Sequence, residues 1–173
     1  MPDIAAPPAF SVRSARTQDV RAIAGIVSGY TDNRVMLHKE TVTYYENVHE
    51  FRVAVDSSDE VIGCGALHVL WEDLAEVRTL AVHPDWHGHG VGHALLEELL
   101  QLGKAVGVAR LFCLTFEVDF FARHGFEEIE GTPVPPDVYT ELLRSRDEGV
   151  AEFLDLARVK PNTLGNTRML KVI

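Results

Sequence analysis

The stretch that decides the fold reads EVRTLAVHP at residues 76–84, continues as HGHGVG at residues 87–92 and leads into an apolar-periodic run from Ala94. β-Branched and apolar residues predict a strand in the first part, and Pro84 ends it. The glycines predict a tight turn, and the spacing of the leucines that follow predicts a helix. This order of strand, glycine turn and helix directs backbone N–H groups into one concavity, which is a site for phosphate or pyrophosphate.

Glycine spacing decides which phosphate-binding motif the turn matches. A dinucleotide fingerprint needs a third glycine or an alanine where this chain has His93 or Leu95, depending on the starting glycine. The Gly-Lys-Ser/Thr of a P-loop does not occur in the sequence. The pattern Q/R-x-x-G-x-G/A does fit, with His87 in its first place and Gly90 and Gly92 as its glycines.

This pattern resembles motif A of the GNAT acetyltransferase family. Downstream, RLFCLT at residues 110–115 is similar to the next strand of that family, and FFARHGF at residues 120–126 is similar to the short helix and Gly-Phe turn of motif B. The resemblance implies a mixed α/β (α+β) GNAT fold whose central mixed sheet splays between strands 4 and 5, with helices on both faces. It also implies acetyl-CoA as co-substrate, its pyrophosphate bound by turn amides and its pantetheine paired with the preceding strand.

The acetyl-CoA-binding residues that the resemblance implies lie at the strand end, in the turn and in motif B. They are Leu80, Ala81, Val82, His87, Gly88, His89, Gly90, Val91, Gly92 and Phe121. Phe121 stands where many relatives carry a tyrosine that protonates the leaving thiolate. The proton source therefore stays open between backbone N–H groups and a hydroxyl such as that of Thr115 or Tyr30.

Other segments resemble the acetyltransferase domain of N-acetylglutamate synthases, which begin arginine biosynthesis. They are VMLHK at residues 35–39, IGCGALH at 62–68, AEVRTLAVHP at 75–84 and LFCLT at 111–115. We expect a short, free-standing form, because 173 residues leave no room for the amino-acid-kinase-like domain of longer members. The resemblance implies an amino-acid α-N-acetyltransferase acting on L-glutamate, with L-glutamine as the alternative acceptor.

Acetyl transfer to an α-amino group requires a base and a hydrogen-bond donor for the oxyanion. The resemblance implies Glu76 as the base, acting through water, and a backbone N–H of Leu80 or its neighbours as the oxyanion donor. It implies His68 as a relay or a substrate ligand. The alternative for Glu76 is a structural ion pair with Arg78 on the same strand face, and the alternative for His68 is an edge histidine.

The carboxylate of an amino-acid acceptor also requires a cation. The candidate substrate-binding residues are Lys39, His68, Arg78, Thr79 and Arg168. Lys39 stands where the relatives have an arginine that binds glutamate. Because lysine is a point charge and not a two-pronged fork, discrimination between a carboxylate and an amide is expected to be weaker. For Arg168 the alternative is a surface arginine.

Composition excludes several other classes of protein. Acidic residues outnumber Lys and Arg 26 to 16, and the formal charge of −10 argues against a nucleic-acid partner. The sequence lacks a bilayer-length apolar run and a signal peptide, so we expect no membrane partner. Cys64 and Cys113 lie in apolar runs without metal spacing, which predicts buried reduced thiols and a cytoplasmic location.

Alternatives stay open for a metal site, for catalysis, for the acceptor and for the oligomeric state. Histidines at positions 83, 87, 89 and 93 invite a metal site, but the glutamate of a His-Glu-x-x-His motif is absent, so we expect no metal. A GNAT-fold module could bind acetyl-CoA without catalysis, or the acceptor could be another small amine or a protein N-terminus. The apolar positions within residues 138–156 are a candidate homodimer interface, with burial in the chain's own core as the alternative.

Patterning predicts the order of the elements along the chain. Strands are expected over residues 11–15, 51–55, 61–69, 76–84, 110–115 and 169–173, and helices over residues 17–30 (capped by Thr17), 41–48, from 94 and over 118–124. Residues 138–144 form an amphipathic run. We expect residues 1–9 to be disordered and residues 10–173 to form a single domain.

Overall fold

The computed structural model describes residues 9–32, 36, 38–163 and 165–173. The prediction of disorder over residues 1–9 lies outside the described residues except at Ala9, as do Val35 and Leu37 of the VMLHK segment. The strands are β1 (Phe10–Ser14), β2 (Phe51–Asp56), β3 (Val61–Trp71), β4 (Leu74–Val82), β5 (Arg110–Thr115), β6 (Glu127–Glu128) and β7 (Thr167–Val172). The helices are α1 (Val20–Asp32), α2 (Thr41–Glu46), α3 (Val91–Val106), α4 (Val118–Arg123), α5 (Pro136–Leu142), α6 (Glu148–Phe153) and α7 (Lys160–Thr163), with 3₁₀ turns at Thr17–Asp19, Val48–Glu50 and Pro84–Trp86.

The strands are hydrogen-bonded in the order β1-β2-β3-β4-β5-β7-β6. β4 and β5 are parallel and pair through residues 74–76 and 110–112, whereas β1, β2 and β3 pair antiparallel, as do β5, β7 and β6. The parallel ladder thus ends three residues into each strand. A parallel pair needs a crossover, and α3 is the helix between β4 and β5 in the chain. The predicted mixed α/β fold is confirmed.

The chain divides into two compact units. The first consists of Met1–Leu67 and Thr79–Gln101, and the second of His68–Arg78 and Leu102–Ile173. Strands β3 and β4 contribute residues to both units. The single domain over residues 10–173 stays a prediction.

In the first unit, helices cover both faces of the strands. Val53 and Val55 of β2 share a buried cluster with α1, whereas Ala54 between them shares another with α3. This is the alternation expected of a strand buried on both sides. Helix α3 lies close against β3, because a Cβ added to Gly63 would be 3.0 Å from the Leu95 side chain.

The second unit has the same layered packing. Phe112 of β5 packs edge-on against Phe153 of α6, with ring centroids 4.9 Å apart, in a buried cluster that includes Leu142 of α5. The preceding strand residue, Leu111, faces the opposite way, and its side chain would lie 3.3 Å from a Cβ added to Gly103 of α3. Most of the apolar positions within residues 138–156 are therefore core, as the alternative to an interface predicted.

Several elements differ from the sequence-based expectation. Helix α1 begins after a 3₁₀ turn, and the predicted cap was wrong, because Arg16 and not Thr17 stands at the N-cap of that turn. The carboxylate of Asp19 accepts from the Arg16 N–H at 2.7 Å. Helix α6 was missed because Gly149 weakens a six-residue helical pattern. Strand β6 was missed because it consists of two exposed glutamates. Among the described helices, none is long and apolar enough to cross a bilayer.

Candidate functional site

The turn between β4 and α3 has the geometry that the sequence predicts. Gly88 and Gly90 have φ of +78° and +80°, and nothing lies within 4 Å of a Cβ added to either. The backbone conformation, and not a lack of space, therefore requires glycine at both positions. Helix α3 begins directly afterwards at Val91, so its first-turn N–H groups have no partners inside the helix. Such an end attracts anions.

Tyr30 of α1 holds His87 at the base of this turn. The Tyr30 hydroxyl donates to the carbonyl oxygen of Val82 at 2.7 Å and lies 3.0 Å from Nε2 of His87, which is 3.1 Å from the same carbonyl. Because the Tyr30 hydroxyl donates its proton to the Val82 carbonyl, its oxygen acts as an acceptor for His87. Neutral His87 is therefore assigned the tautomer that carries its hydrogen on Nε2. Tyr30, a candidate proton source, is thus engaged in ordering the turn.

The side chains at the end of β4 pack within the first unit. Ala81 is buried in the cluster with α1, and the Leu80 side chain would lie 3.0 Å from a Cβ added to Gly65. The N–H of His83 donates to the carbonyl oxygen of Ile62 at 2.8 Å. If Leu80, Ala81 and Val82 bind the cofactor as predicted, they would therefore do so through their main-chain groups.

Thr79 interrupts the regular geometry of β4. Its φ of +58° lies in the left-handed region, where a β-branched residue is strained by about 1–3 kcal/mol. Its carbonyl oxygen accepts from the Cys64 thiol at 3.5 Å, and its hydroxyl accepts from Nζ of Lys39 at 3.4 Å. Burial raises the pKa of Cys64 to about 12, which keeps this thiol protonated. Two of the predicted substrate-binding residues, Lys39 and Thr79, are therefore neighbours.

In the second unit, Glu76 and Arg78 lie on one face of β4 and form a buried ion pair. Nε and Nη2 of Arg78 donate to Oε2 of Glu76 at 3.2 and 2.8 Å. Nη1 of Arg78 donates to both carboxylate oxygens of Asp147 at 3.0 and 3.1 Å. The structural ion pair considered as an alternative for Glu76 is thus present, and Arg78, predicted to bind substrate, has two carboxylate partners.

The Glu76 carboxylate nevertheless keeps one oxygen available. The residue is 5% exposed, and all of its side-chain hydrogen bonds to described residues are made through Oε2. Oε1 accepts no hydrogen bond from a described side chain, and it is not fully buried, since Asn166 Oδ1 is the fully buried polar side-chain atom without a partner among the described residues. A water molecule on Oε1 would therefore find an unshared acceptor on a carboxylate of fixed position.

His68 of β3 lies within electrostatic reach of Asp147. Burial alone would raise the pKa of Asp147, but Arg78, the N–H of Val150 and His68 together hold it below its usual value. The structure thus places His68 beside the same group of charges as Glu76. That position is compatible with its predicted role and with a structural one.

Arg168 of β7 is engaged by main-chain carbonyls. Nε donates to the carbonyl oxygen of Gly131 at 2.9 Å, Nη1 to that of Glu152 at 3.3 Å, and Nη2 to that of Phe153. Its guanidinium carbon lies 4.9 Å from the centre of the Phe112 ring. Burial lowers the pKa of Arg168 below its usual value, but an arginine stays charged. These contacts describe a clamp on the C-terminus of α6 and not the exposed arginine that was the alternative.

Phe121 and Thr115 are core residues of the second unit. Phe121 is buried, with ring centroids 5.2 Å from both Phe120 and Phe126. The buried Thr115 hydroxyl accepts from the N–H of Glu117 at 2.8 Å. Neither observation tests the cofactor contact predicted for Phe121.

Three of the four histidines that suggested a metal site have hydrogen bonds within the turn. Nδ1 of His83 accepts from the N–H of Asp85 at 3.3 Å, and Nδ1 of His89 lies 3.0 Å from the carbonyl oxygen of His87. These bonds fit a role in shaping the turn. The expectation of no metal stays a prediction.

Sequence reasoning missed Asp147 entirely and named Tyr30 as one candidate acid. Asp147 precedes an apolar run and caps α6, since its Oδ1 accepts from the N–H of Val150 at 2.9 Å. A cap signature was therefore available in the sequence, but its contact with Arg78, 69 residues away, was not. The Tyr30 contact with Val82 spans 52 residues and is equally invisible in local patterning.

The turn yields a direct test of its anion-binding role. We expect Gly90→Ala to lower the free energy of unfolding by about 1–2 kcal/mol, because alanine at positive φ is strained, and to raise the KM for acetyl-CoA. Gly25→Ala in α1 is the matched control, since Gly25 has ordinary φ and open space around it and should gain up to about 1 kcal/mol. Thermal melts and initial rates measure both effects. An unchanged acetyl-CoA KM in Gly90→Ala would contradict this role of the turn.

Comparison with known proteins gives consistent findings. Residues 17–126 match the family model described as the acetyltransferase (GNAT) family. The chain is 57% identical over 164 residues to the amino-acid acetyltransferase of Mycobacterium tuberculosis, covering 94% of each chain.

Two solved structures are similar to this fold. The crystal structure of Rv2747 from Mycobacterium tuberculosis in complex with CoA and NLQ matches with a TM-score of 0.92 and 57% identity, over 94% of this chain and 99% of that chain. N-acetylglutamate synthase from Neisseria gonorrhoeae, complexed with coenzyme A and N-acetyl-glutamate, matches with a TM-score of 0.75 and 20% identity. The match covers 95% of this chain and 35% of that one, and at this identity it is a likeness of fold.

Proposed function

Because the chain belongs to the GNAT family of acetyltransferases, we propose that it transfers the acetyl group of acetyl-CoA to the α-amino group of an amino acid. The observation that carries this proposal is the similarity, over nearly the full length of both chains, to a protein named amino-acid acetyltransferase. A second support is that the similar Mycobacterium tuberculosis structure contains CoA.

Acetyl-CoA would be bound mainly by main-chain groups. The glycine turn and the N–H groups of Val91 and Gly92, which have no partners inside α3, suit its pyrophosphate. The tautomer assigned to His87 keeps its Nε2–H on Tyr30 and Val82, so this ring orders the turn. A backbone N–H of Leu80 or a neighbour would donate to the oxyanion of the tetrahedral intermediate.

Glu76 is the proposed base of the reaction. Through a water on Oε1 it accepts a proton from the ammonium group of the acceptor, and the neutral amine attacks the thioester carbon. The nitrogen then loses a second proton and the C–S bond breaks as the amide forms, and CoA leaves as a thiolate that takes up a proton. The hydroxyls of Thr115 and Tyr30 both serve protein hydrogen bonds, which favours solvent or backbone N–H groups in assisting the thiolate.

We propose glutamate or glutamine as the acceptor. The support lies in Lys39, whose ammonium group donates to the Thr79 hydroxyl at 3.4 Å. A lysine ammonium beside the Thr79 hydroxyl offers donors to a carboxylate without requiring two-pronged geometry, so an amide is tolerated as well. Formation of N-acetylglutamate would place the protein at the first step of arginine biosynthesis.

The experiment is a survey of acceptors. Purified protein is incubated with acetyl-CoA and each of the twenty amino acids singly, and free thiol release is followed with mass detection of the product. Turnover confined to glutamate or glutamine supports the proposal and ranks the two. Binding of acetyl-CoA without any amino-acid turnover would favour another small amine, a protein N-terminus or a non-catalytic module. The cytoplasmic location and the homodimer stay predictions.

Lys39→Ala tests the acceptor site by itself. We expect the KM for the amino acid to rise about tenfold or more and kcat to change little, because a lost charge-assisted contact to the carboxylate weakens ground state and transition state alike. Lys104→Ala, an exposed lysine in the last turn of α3, is the control. Equal amino-acid KM values for Lys39→Ala and Lys104→Ala would show that Lys39 does not bind the acceptor.

A further inference from the structure

We propose that Asp147 is a positioning residue for the catalytic carboxylate: by sharing Arg78, it fixes Glu76 in place while leaving Glu76 able to accept a proton. This inference rests on the proposed function, in which Glu76 is the base. It assigns a role to a residue of the C-terminal part of the second unit, far in sequence from the family motifs.

The geometry of the guanidinium carries the proposal. Arg78 uses Nε and Nη2 on a single oxygen of Glu76 and Nη1 on both oxygens of Asp147, at distances between 2.8 and 3.2 Å. Asp147 is itself fixed, because it caps α6 through the N–H of Val150. The chain of contacts therefore runs from the helix N-terminus through Asp147 and Arg78 to Glu76.

Gly149 shows that this arrangement is built into the backbone. A Cβ added to Gly149 would lie 2.5 Å from both Cζ and Nη2 of Arg78, so the guanidinium lies against the first turn of α6. The conformation of Gly149 is one that other residues adopt, and its lack of a side chain serves this contact. The arginine head cannot move aside freely, because four hydrogen bonds and the surrounding packing hold it.

The charges explain why a second carboxylate helps a base. An arginine paired with Glu76 alone would stabilise the ionised carboxylate and weaken it as a proton acceptor. The pKa of Asp147 lies below its usual range, so Asp147 carries a negative charge at neutral pH. This charge balances the positive charge of Arg78. Among the described residues, further titratable groups that act on this cluster include His68, Arg168 and Cys113.

Asp147→Asn is the decisive variant, because asparagine caps a helix about as well as aspartate and removes only the charge. We expect the acid limb of the pH profile of kcat/KM to move to lower pH by about one unit. We also expect kcat on the plateau to fall about threefold, as a weaker base requires, with the amino-acid KM unchanged. Asp73→Asn is the matched control, since Asp73 pairs with Arg110 at 3.0 Å in the same unit.

A second variant moves the guanidinium without changing any charge. Gly149→Ala should lower kcat while the amino-acid KM stays constant, and Gly25→Ala should have no such effect. If Asp147→Asn leaves the acid limb where it is in wild type, or if its main effect is on the amino-acid KM, the positioning role is wrong. A change in the amino-acid KM would indicate that Arg78 binds the substrate.

A measurement without turnover separates this inference from the proposed function. The ¹³Cδ signal of Glu76, identified by its loss in Glu76→Gln, is titrated in wild type and in Asp147→Asn. A lower midpoint in Asp147→Asn supports the sharing of Arg78 even if wild type acetylates no amino acid. An equal midpoint overturns it even if wild type is an active amino-acid acetyltransferase.

Discussion

Glu76→Gln is expected to lose about 10²–10⁴-fold in kcat for acetyl transfer to the amino acid, with little change in either KM. Glutamine keeps the size of the side chain and an oxygen that Arg78 can still bond, but it cannot take up a proton. The buried position of Glu76 and its single engaged oxygen make it the described carboxylate best suited to hold a water for the amine.

The control for this variant is Glu128→Gln, an exposed acid of β6 in the same unit. It should keep wild-type kinetics. Thermal melts complete the experiment, because a purely structural ion pair would lower the midpoint of unfolding without lowering kcat. That outcome would show that the alternative for Glu76, a pairing with Arg78, is its whole role.

The parts of the fold that the sequence predicts are those that depend on local patterning. The bounds predicted for β5 agree with the structure at Arg110–Thr115, because an apolar run between turn residues has few other conformations. The turn was predictable for the same reason, since Gly88 and Gly90 supply two positive φ values close together.

The side-chain partners could not be predicted, because they depend on contacts between distant parts of the chain. Asp147, a partner of Arg78 in the protein, lies 69 residues further on. Whether Arg168 is a surface residue is decided by carbonyls of Gly131 and α6. Short motifs identified both arginines as candidates, and tertiary contacts determined what each of them bonds.

Arg168→Ala is expected to lower the free energy of unfolding by about 3 kcal/mol. The variant leaves three carbonyl acceptors without their donor, but the bond to Gly131 is exposed, so water replaces it there. The two part-buried bonds to Glu152 and Phe153 cost about 1–3 kcal/mol each where no water replaces them. It also removes a cation from the Phe112 ring, worth about 0.5–2 kcal/mol. For a chain of this length the midpoint of thermal unfolding should fall by about 6–12 °C.

Arg144→Ala is the control for this loss, because Arg144 is an exposed arginine whose partner is Glu141 in the preceding turn. Such surface pairs contribute about 0–1 kcal/mol, so its melting midpoint should stay near that of wild type. Arg168→Lys should fall between the two, since an ammonium group cannot reach three carbonyls with the fork of a guanidinium. If Arg168→Ala melts like wild type but has a raised amino-acid KM, then Arg168 serves the acceptor after all and the clamp on α6 contributes little.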